Sequence, residues 1–153
     1  MSIFFSLLSG LLGSLLVSIT STKMPDSEIV MVEYTKSGTM AGYLYYGKVE
    51  RQDDGTVVIE AMQENYGEII KKKVDPQVLT DLKTIVKEHK IYAYKGYYRP
   101  HFEVLDGYTW SLTIRFANGQ SIDSGGSNAY PSGDGLSAIR ELFIELVTDK
   151  PIN

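Results

Sequence analysis

At 153 residues the chain has the length of one domain and can bury a core without staples. It contains no cysteine, which excludes disulfides, thiolate metal sites and cysteine nucleophiles. The net charge of -4 is ordinary for a soluble protein; the 11 tyrosines, against five phenylalanines and one tryptophan, are not ordinary, and a sheet with half-exposed positions accounts for many of them.

No charged side chain precedes Lys23. Apolar residues recur at helical spacing as Ile3, Phe4, Leu7, Leu8, Leu11, Leu12, Leu15, Leu16 and Ile19, with serine and glycine between them. This pattern predicts an apolar helix over 1–22. Three uses compete for it. As a secretory or membrane segment it lacks a positive n-region and a good cleavage site, and its length is at the lower limit for a span. As a self-associating helix it has small residues that permit close approach. It can also dock on its own domain. Membrane or cell-envelope use is slightly favoured over a cytoplasmic location. Lys23-Met24-Pro25-Asp26-Ser27 reads as a linker, residues 23–27, leading into a single domain over 28–153.

Four strands are expected next, over 28–34, 42–51, 56–62 and 68–74, separated by Ser37-Gly38, Asp53-Asp54-Gly55 and Asn65-Tyr66-Gly67. They form an antiparallel meander. Val57, Ile59 and Ala61 share one face of the third strand. Lys71, Lys72 and Lys73 suit the fourth to a sheet edge, where charge deters edge-to-edge pairing. Asp75-Pro76 then opens a helix, with Asp75 as cap and Pro76 at the first helical position. Its buried stripe is Val78, Leu79, Leu82, Ile85 and Val86. A short strand over 91–95 and a loop over 96–100 follow.

Trp110, Leu112, Ile114 and Phe116 alternate with Thr109, Ser111, Thr113 and Arg115, so this strand lays its tryptophan face on a core. A two-residue turn at Asn118-Gly119 would set Ile122 against Arg115. A three-residue loop, Ala117-Asn118-Gly119, sets it against Ile114, and alternation selects that register. The return strand is expected to end at the run Ser124-Gly125-Gly126-Ser127-Asn128. A last helix begins near Asp134 and buries Leu136, Ile139, Leu142, Phe143 and Leu146. The fold class is therefore α+β: an antiparallel sheet, made of a meander and a C-terminal hairpin, with two helices on one face and an apolar helix before it.

The glycine-rich loop before the last helix lacks the Lys-Ser/Thr of a phosphate-binding loop, and Asp134 would repel an anion there. Gly125 and Gly126 serve backbone geometry, and Tyr130-Pro131 packs the loop onto the domain. Charge is uneven: residues 71–101 hold eight Lys/Arg and three Asp/Glu. Within that stretch Lys90, Tyr94, Lys95, Tyr97, Tyr98, Arg99 and His101 interleave cations with rings, the pattern of a polyanion-binding groove. They are the candidate ligand residues, although no nucleic-acid fold signature accompanies them. His89 and His101 have no metal-ligand spacing, no G-x-S-x-G elbow occurs, and no catalytic residue, metal or cofactor is expected. The sequence favours a non-enzymatic binding or assembly module attached to a membrane or to other subunits through 1–22. The alternative is a nucleic-acid or anionic-polymer binder using 90–101; an enzyme is the third reading, and no substrate suggests itself for it.

Overall fold

The computed structural model describes residues 23–38 and 42–148. The apolar positions Ile3, Phe4, Leu7, Leu8, Leu11, Leu12, Leu15, Leu16 and Ile19, and the whole 1–22 segment, lie outside the described residues. Among the described residues seven strands and two helices make a mixed α+β fold. The strands are β1 (Ile29–Ser37), β2 (Tyr43–Arg51), β3 (Val57–Met62), β4 (Ile69–Val74), β5 (Tyr97–Tyr98), β6 (Thr109–Phe116) and β7 (Ser121–Ser127). The helices are α1 (Gln77–Glu88) and α2 (Gly135–Val147). The sheet order is β4-β3-β2-β1-β6-β7-β5. All pairings are antiparallel except β5 with β7. The expected antiparallel sheet therefore gains one parallel edge, where β5 runs along β7 in the same direction.

Side-chain alternation across this register builds the core. Ile59, Val49, Val32, Ile114 and Ile122 lie directly opposite one another on five successive strands. All five are buried. Both helices bury their apolar stripes in the same cluster, α1 through Val78, Leu79, Leu82 and Val86, and α2 through Leu136, Ile139, Phe143 and Val147. Leu142 and Leu146 are only partly buried, so the α2 stripe runs to Val147 instead. α1 starts one residue later than expected, with Pro76 rather than Asp75 at the cap position; Asp75 still closes the first turn, its Oδ1 accepting the Gln77 N–H at 2.8 Å and its carbonyl the Val78 N–H. The stretch before β1 lies against the domain. Pro25 is buried, Met24 packs on the core, and Ser27 Oγ accepts the Asn118 N–H.

The β6–β7 hairpin has the three-residue loop that alternation demands. Phe116 N–H donates to the Gln120 carbonyl, Gly119 takes φ +87°, and Ile122 pairs with Ile114. Three segments depart from expectation. Tyr97–Tyr98, inside the expected 96–100 loop, is the edge strand β5, drawn into the sheet by pairing with Gly125 and Gly126. Ile91–Ala93 is a 3₁₀ turn rather than a strand. Lys90 leaves α1 in the left-handed conformation (φ 50°), which turns the chain so that Ile91 enters the core. The glycine run is strand, not loop: β7 continues through Gly125 and Gly126 to Ser127. Low intrinsic propensity is overridden by tertiary packing here. A Cβ on Gly126 would stand 2.6 Å from Trp110 Nε1 and 2.5 Å from the Ala129 carbonyl oxygen. Only glycine lets the indole lie across the strand. In the same way a Cβ on Gly47 would meet the Phe143 ring at 2.3 Å, so glycine in β2 makes the seat for α2.

These contacts set expected stabilities. Gly126→Ala and Gly47→Ala should each destabilise the fold by about 1–3 kcal/mol in chemical denaturation, because the ring or the backbone must move. Gly96, with nothing within 4 Å of the added atom, should tolerate alanine within about 0.5 kcal/mol. Equal responses at all three positions would contradict this packing.

Candidate functional site

The alternation Val32, Tyr34, Lys36 carries β1 along the core face and ends it on a cation. Lys36 is paired with Tyr45 on one side and Trp110 on the other, and Trp110 with Gly126. This is the last core-facing row of the sheet, where the start of α2 leaves space above it. A cavity of about 280 Å³ lies there. β1 contributes Tyr34 and Lys36, β2 contributes Leu44, and the β3–β4 turn contributes Asn65. The loop before α2 adds Tyr130, Pro131 and Gly133, and α2 adds Leu136, Ser137 and Arg140.

Arg140 occupies a helical position between the buried Leu136 and Phe143, on the edge of the apolar stripe. Its guanidinium lies 4.8 Å from the Tyr45 ring centroid and donates to Asn65 Oδ1 at 2.8 Å. The Lys36 ammonium sits between two rings, 4.9 Å from the centroid of Tyr108 and 5.3 Å from that of Tyr130. Neither cation makes an ion pair among the described residues. Ring faces hold both, through the attraction of a cation to the negative face of a π-system. Tyr130 in turn stacks on Trp110 at 6.1 Å with 15° between the planes. Among the described residues no carboxylate lines the cavity, and Asp134 is exposed outside it.

Tyr34 is the buried wall. Its side chain is 5% exposed, and its hydroxyl has no hydrogen-bond partner among the described residues. Burial pushes its pKa up to about 12; Tyr130 adds to the rise and Arg140 opposes it. Burial pushes Tyr45 up as well, again against Arg140. Tyrosines thus gather at this end of the sheet because they can bury a ring beside a cation while keeping a polar tip.

The interleaved stretch over 90–101 is divided by the fold. Tyr94 is buried in the core, and Tyr98 packs partly buried against Tyr94 and Trp110. Lys90 and Lys95 are exposed. Tyr97, Arg99 and His101 do come together. They line a more open depression of about 470 Å³ with Pro100, Phe102, Glu103, Val104, Ser127 and Asn128. Arg99 lies 5.0 Å from the Tyr97 centroid. Glu103 gives this depression a negative group that the Lys36–Arg140 cavity lacks. Phe102 and Leu105 stand out from the adjoining loop, 73% and 94% exposed. Among the described residues no group of three or more His, Asp or Glu side chains is placed to hold a metal ion, and no helix is long and apolar enough to cross a membrane.

No protein-family model matches the chain, and none of the curated proteins is similar to it in sequence.

A pH dependence follows from the buried phenols. Burial also pushes Tyr46 and Tyr94 up to about 12. A raised phenol favours the folded, neutral form, so its contribution is complete below the ordinary value of 10.0 and is lost as pH rises through about 12. Stability should therefore hold up to pH 10 and fall between pH 10 and 12. The ultraviolet phenolate signal should show Tyr34, Tyr45, Tyr46 and Tyr94 ionising late, together with unfolding. All 11 tyrosines titrating together near their ordinary value would contradict this burial.

Proposed function

We propose that this chain is a non-enzymatic binding module and that the cavity between Lys36 and Arg140 is its ligand seat. One observation carries the proposal: two cations stand at core-facing positions with ring faces, not carboxylates, as neighbours. Structural cations near a core are ordinarily paired, since an unpaired charge is expensive to desolvate. Here the charges are held ready, and apart from the Arg140–Asn65 bond their donors are left open among the described residues. A ligand entering the cavity has no ion pair to break. The rigid sheet below and the helix beside it fix the two groups, which lowers the ordering cost of binding. Residues 1–22 then serve to attach the module to a membrane or to other subunits. Comparing the mass in solution of the full chain and of a chain beginning at Met24 reports that role.

A second reading has one observation in its favour. Tyr97, Arg99 and His101 share a depression, as a site for a nucleic acid or another anionic polymer requires.

Amide spectra of the full chain against a library of small fragments separate the two. Binding in the proposed seat should move the signals of Asn65, Gly133, Gly135 and Ser137. Movement centred on Arg99 to Val104, stronger with polymers and weakened by salt, would shift the assignment to the second depression. No saturable change at the first would contradict the proposal.

A further inference from the structure

We propose that the ligand of the Lys36–Arg140 cavity is a small oxyanion, a carboxylate or a phosphate carried on a compact molecule. This rests on the reading of the cavity as a ligand seat and adds the chemistry of what fills it.

Every polar side chain lining the cavity among the described residues can donate a hydrogen bond. Arg140 has five N–H donors, and only the bond to Asn65 engages one of them among the described residues. The Asn65 oxygen, an acceptor on this wall, is taken by that bond, which leaves its NH₂ group to donate. The Lys36 ammonium has three donors and lies against rings. The hydroxyls of Tyr34 and Ser137 have no partner among the described residues, and a hydroxyl donates as readily as it accepts. Such a set complements a group that is acceptor-only and negative, as ionised carboxylates and phosphates are. A cationic ligand would face two like charges. A neutral ligand would leave both cations uncompensated as it displaced their water.

Tyr34 is the most specific member. It is 5% exposed and lies in the core-facing row behind Lys36, so it reaches a ligand only from inside the cavity. Its neighbour Tyr45 also has a buried hydroxyl without a partner, below the Arg140 guanidinium. The volume of about 280 Å³ sits at the small end of ligand pockets. It admits a small acid or a phosphate monoester and excludes a folded polymer. A planar arginine held on edge by Asn65 suits two-point contact with such a group.

The test is a titration of the full chain with inorganic phosphate, benzoate and benzamide, read at the amides of Asn65, Gly133, Gly135 and Ser137. Benzamide is the neutral counterpart of benzoate. Saturable shifts with phosphate or benzoate, and none with benzamide, are expected; whichever anion binds tighter names the oxyanion. Lys36→Met and Arg140→Gln should each weaken the anion by about tenfold or more. Arg140→Lys, which keeps the charge without the fork, should fall between Arg140→Gln and the native chain. Tyr34→Phe should weaken binding several-fold with thermal stability unchanged. Its stability readout separates a lost donor from a lost fold. Benzamide binding as tightly as benzoate would overturn the oxyanion while leaving the ligand seat intact. So would anion binding indifferent to Lys36→Met and Arg140→Gln. No saturable shift with any of the three probes would overturn the oxyanion and the seat together.

Discussion

The Trp110 indole N–H donates to the Ala129 carbonyl at 2.8 Å, and the ring fills the space left by Gly126 on the neighbouring strand. One side chain therefore ties the last core-facing row of the sheet to the loop that precedes α2. Tyr130 stacks on that ring, and Tyr98 packs against it. The loop is fixed at Ala129 and Tyr130, five and four residues before Asp134, from which α2 departs. The position of Ser137 and Arg140 over the sheet thus follows from where the indole lies. Asn128, in the left-handed conformation (φ 52°), completes the joint by accepting the Tyr108 N–H on its side-chain oxygen.

This joint explains how charge comes to stand beside a core. Strand alternation sends Lys36 to the same face as Val32 and Tyr34. Had α2 covered that row, lysine there would have been excluded or paired with a carboxylate. Instead the helix begins beyond it, and the ammonium lies between the rings of Tyr108 and Tyr130. An exposed cation–ring contact is worth about 0.5–1 kcal/mol and a desolvated one about 2 kcal/mol, enough to orient this half-buried lysine but less than an ion pair would supply to a desolvated charge. The same holds for Arg140 over Tyr45. The arrangement keeps electrostatic potential in the cavity that an ion pair would have cancelled. On the opposite face of the sheet the charges are treated in the other way: Lys48 pairs with Glu50 and Lys71 with Glu60 in a solvated surface, where such pairs contribute little.

Much of this fold is legible in the sequence because its signals are local. The alternation around Trp110 and the glycine at 119 give the hairpin register without any knowledge of the partner strands. Asp75-Pro76 marks the start of α1, and Lys71 to Lys73 mark β4 as an edge. The glycines at 125 and 126 mislead because their reason is tertiary: they admit an indole from the next strand, and propensity alone reads them as a break. The 91–95 stretch misleads because Lys90 takes a left-handed conformation that no local pattern announces. The cavity is the least legible feature. It joins residues from Tyr34 to Arg140, whereas the stretch at 90–101 stands out in the sequence for its density of cations and rings along the chain. Even so, a trace exists. Lys36 extends the period of Val32 and Tyr34, and Arg140 stands four residues after Leu136 and three before Phe143. A cation that falls in step with a core-facing period is a sharper signal than a cluster of cations in a loop.

The most direct measurement is hydrogen exchange at the indole N–H. The chain has a single tryptophan, so one resonance reports the Trp110–Ala129 bond. If this bond joins the sheet to the cavity wall, the indole proton should exchange as slowly as the amides of β6, through opening of the whole domain. Exchange on the timescale of an exposed tryptophan, while the β6 amides stay protected, would show that the loop detaches alone and that the cavity is not a fixed feature of the fold.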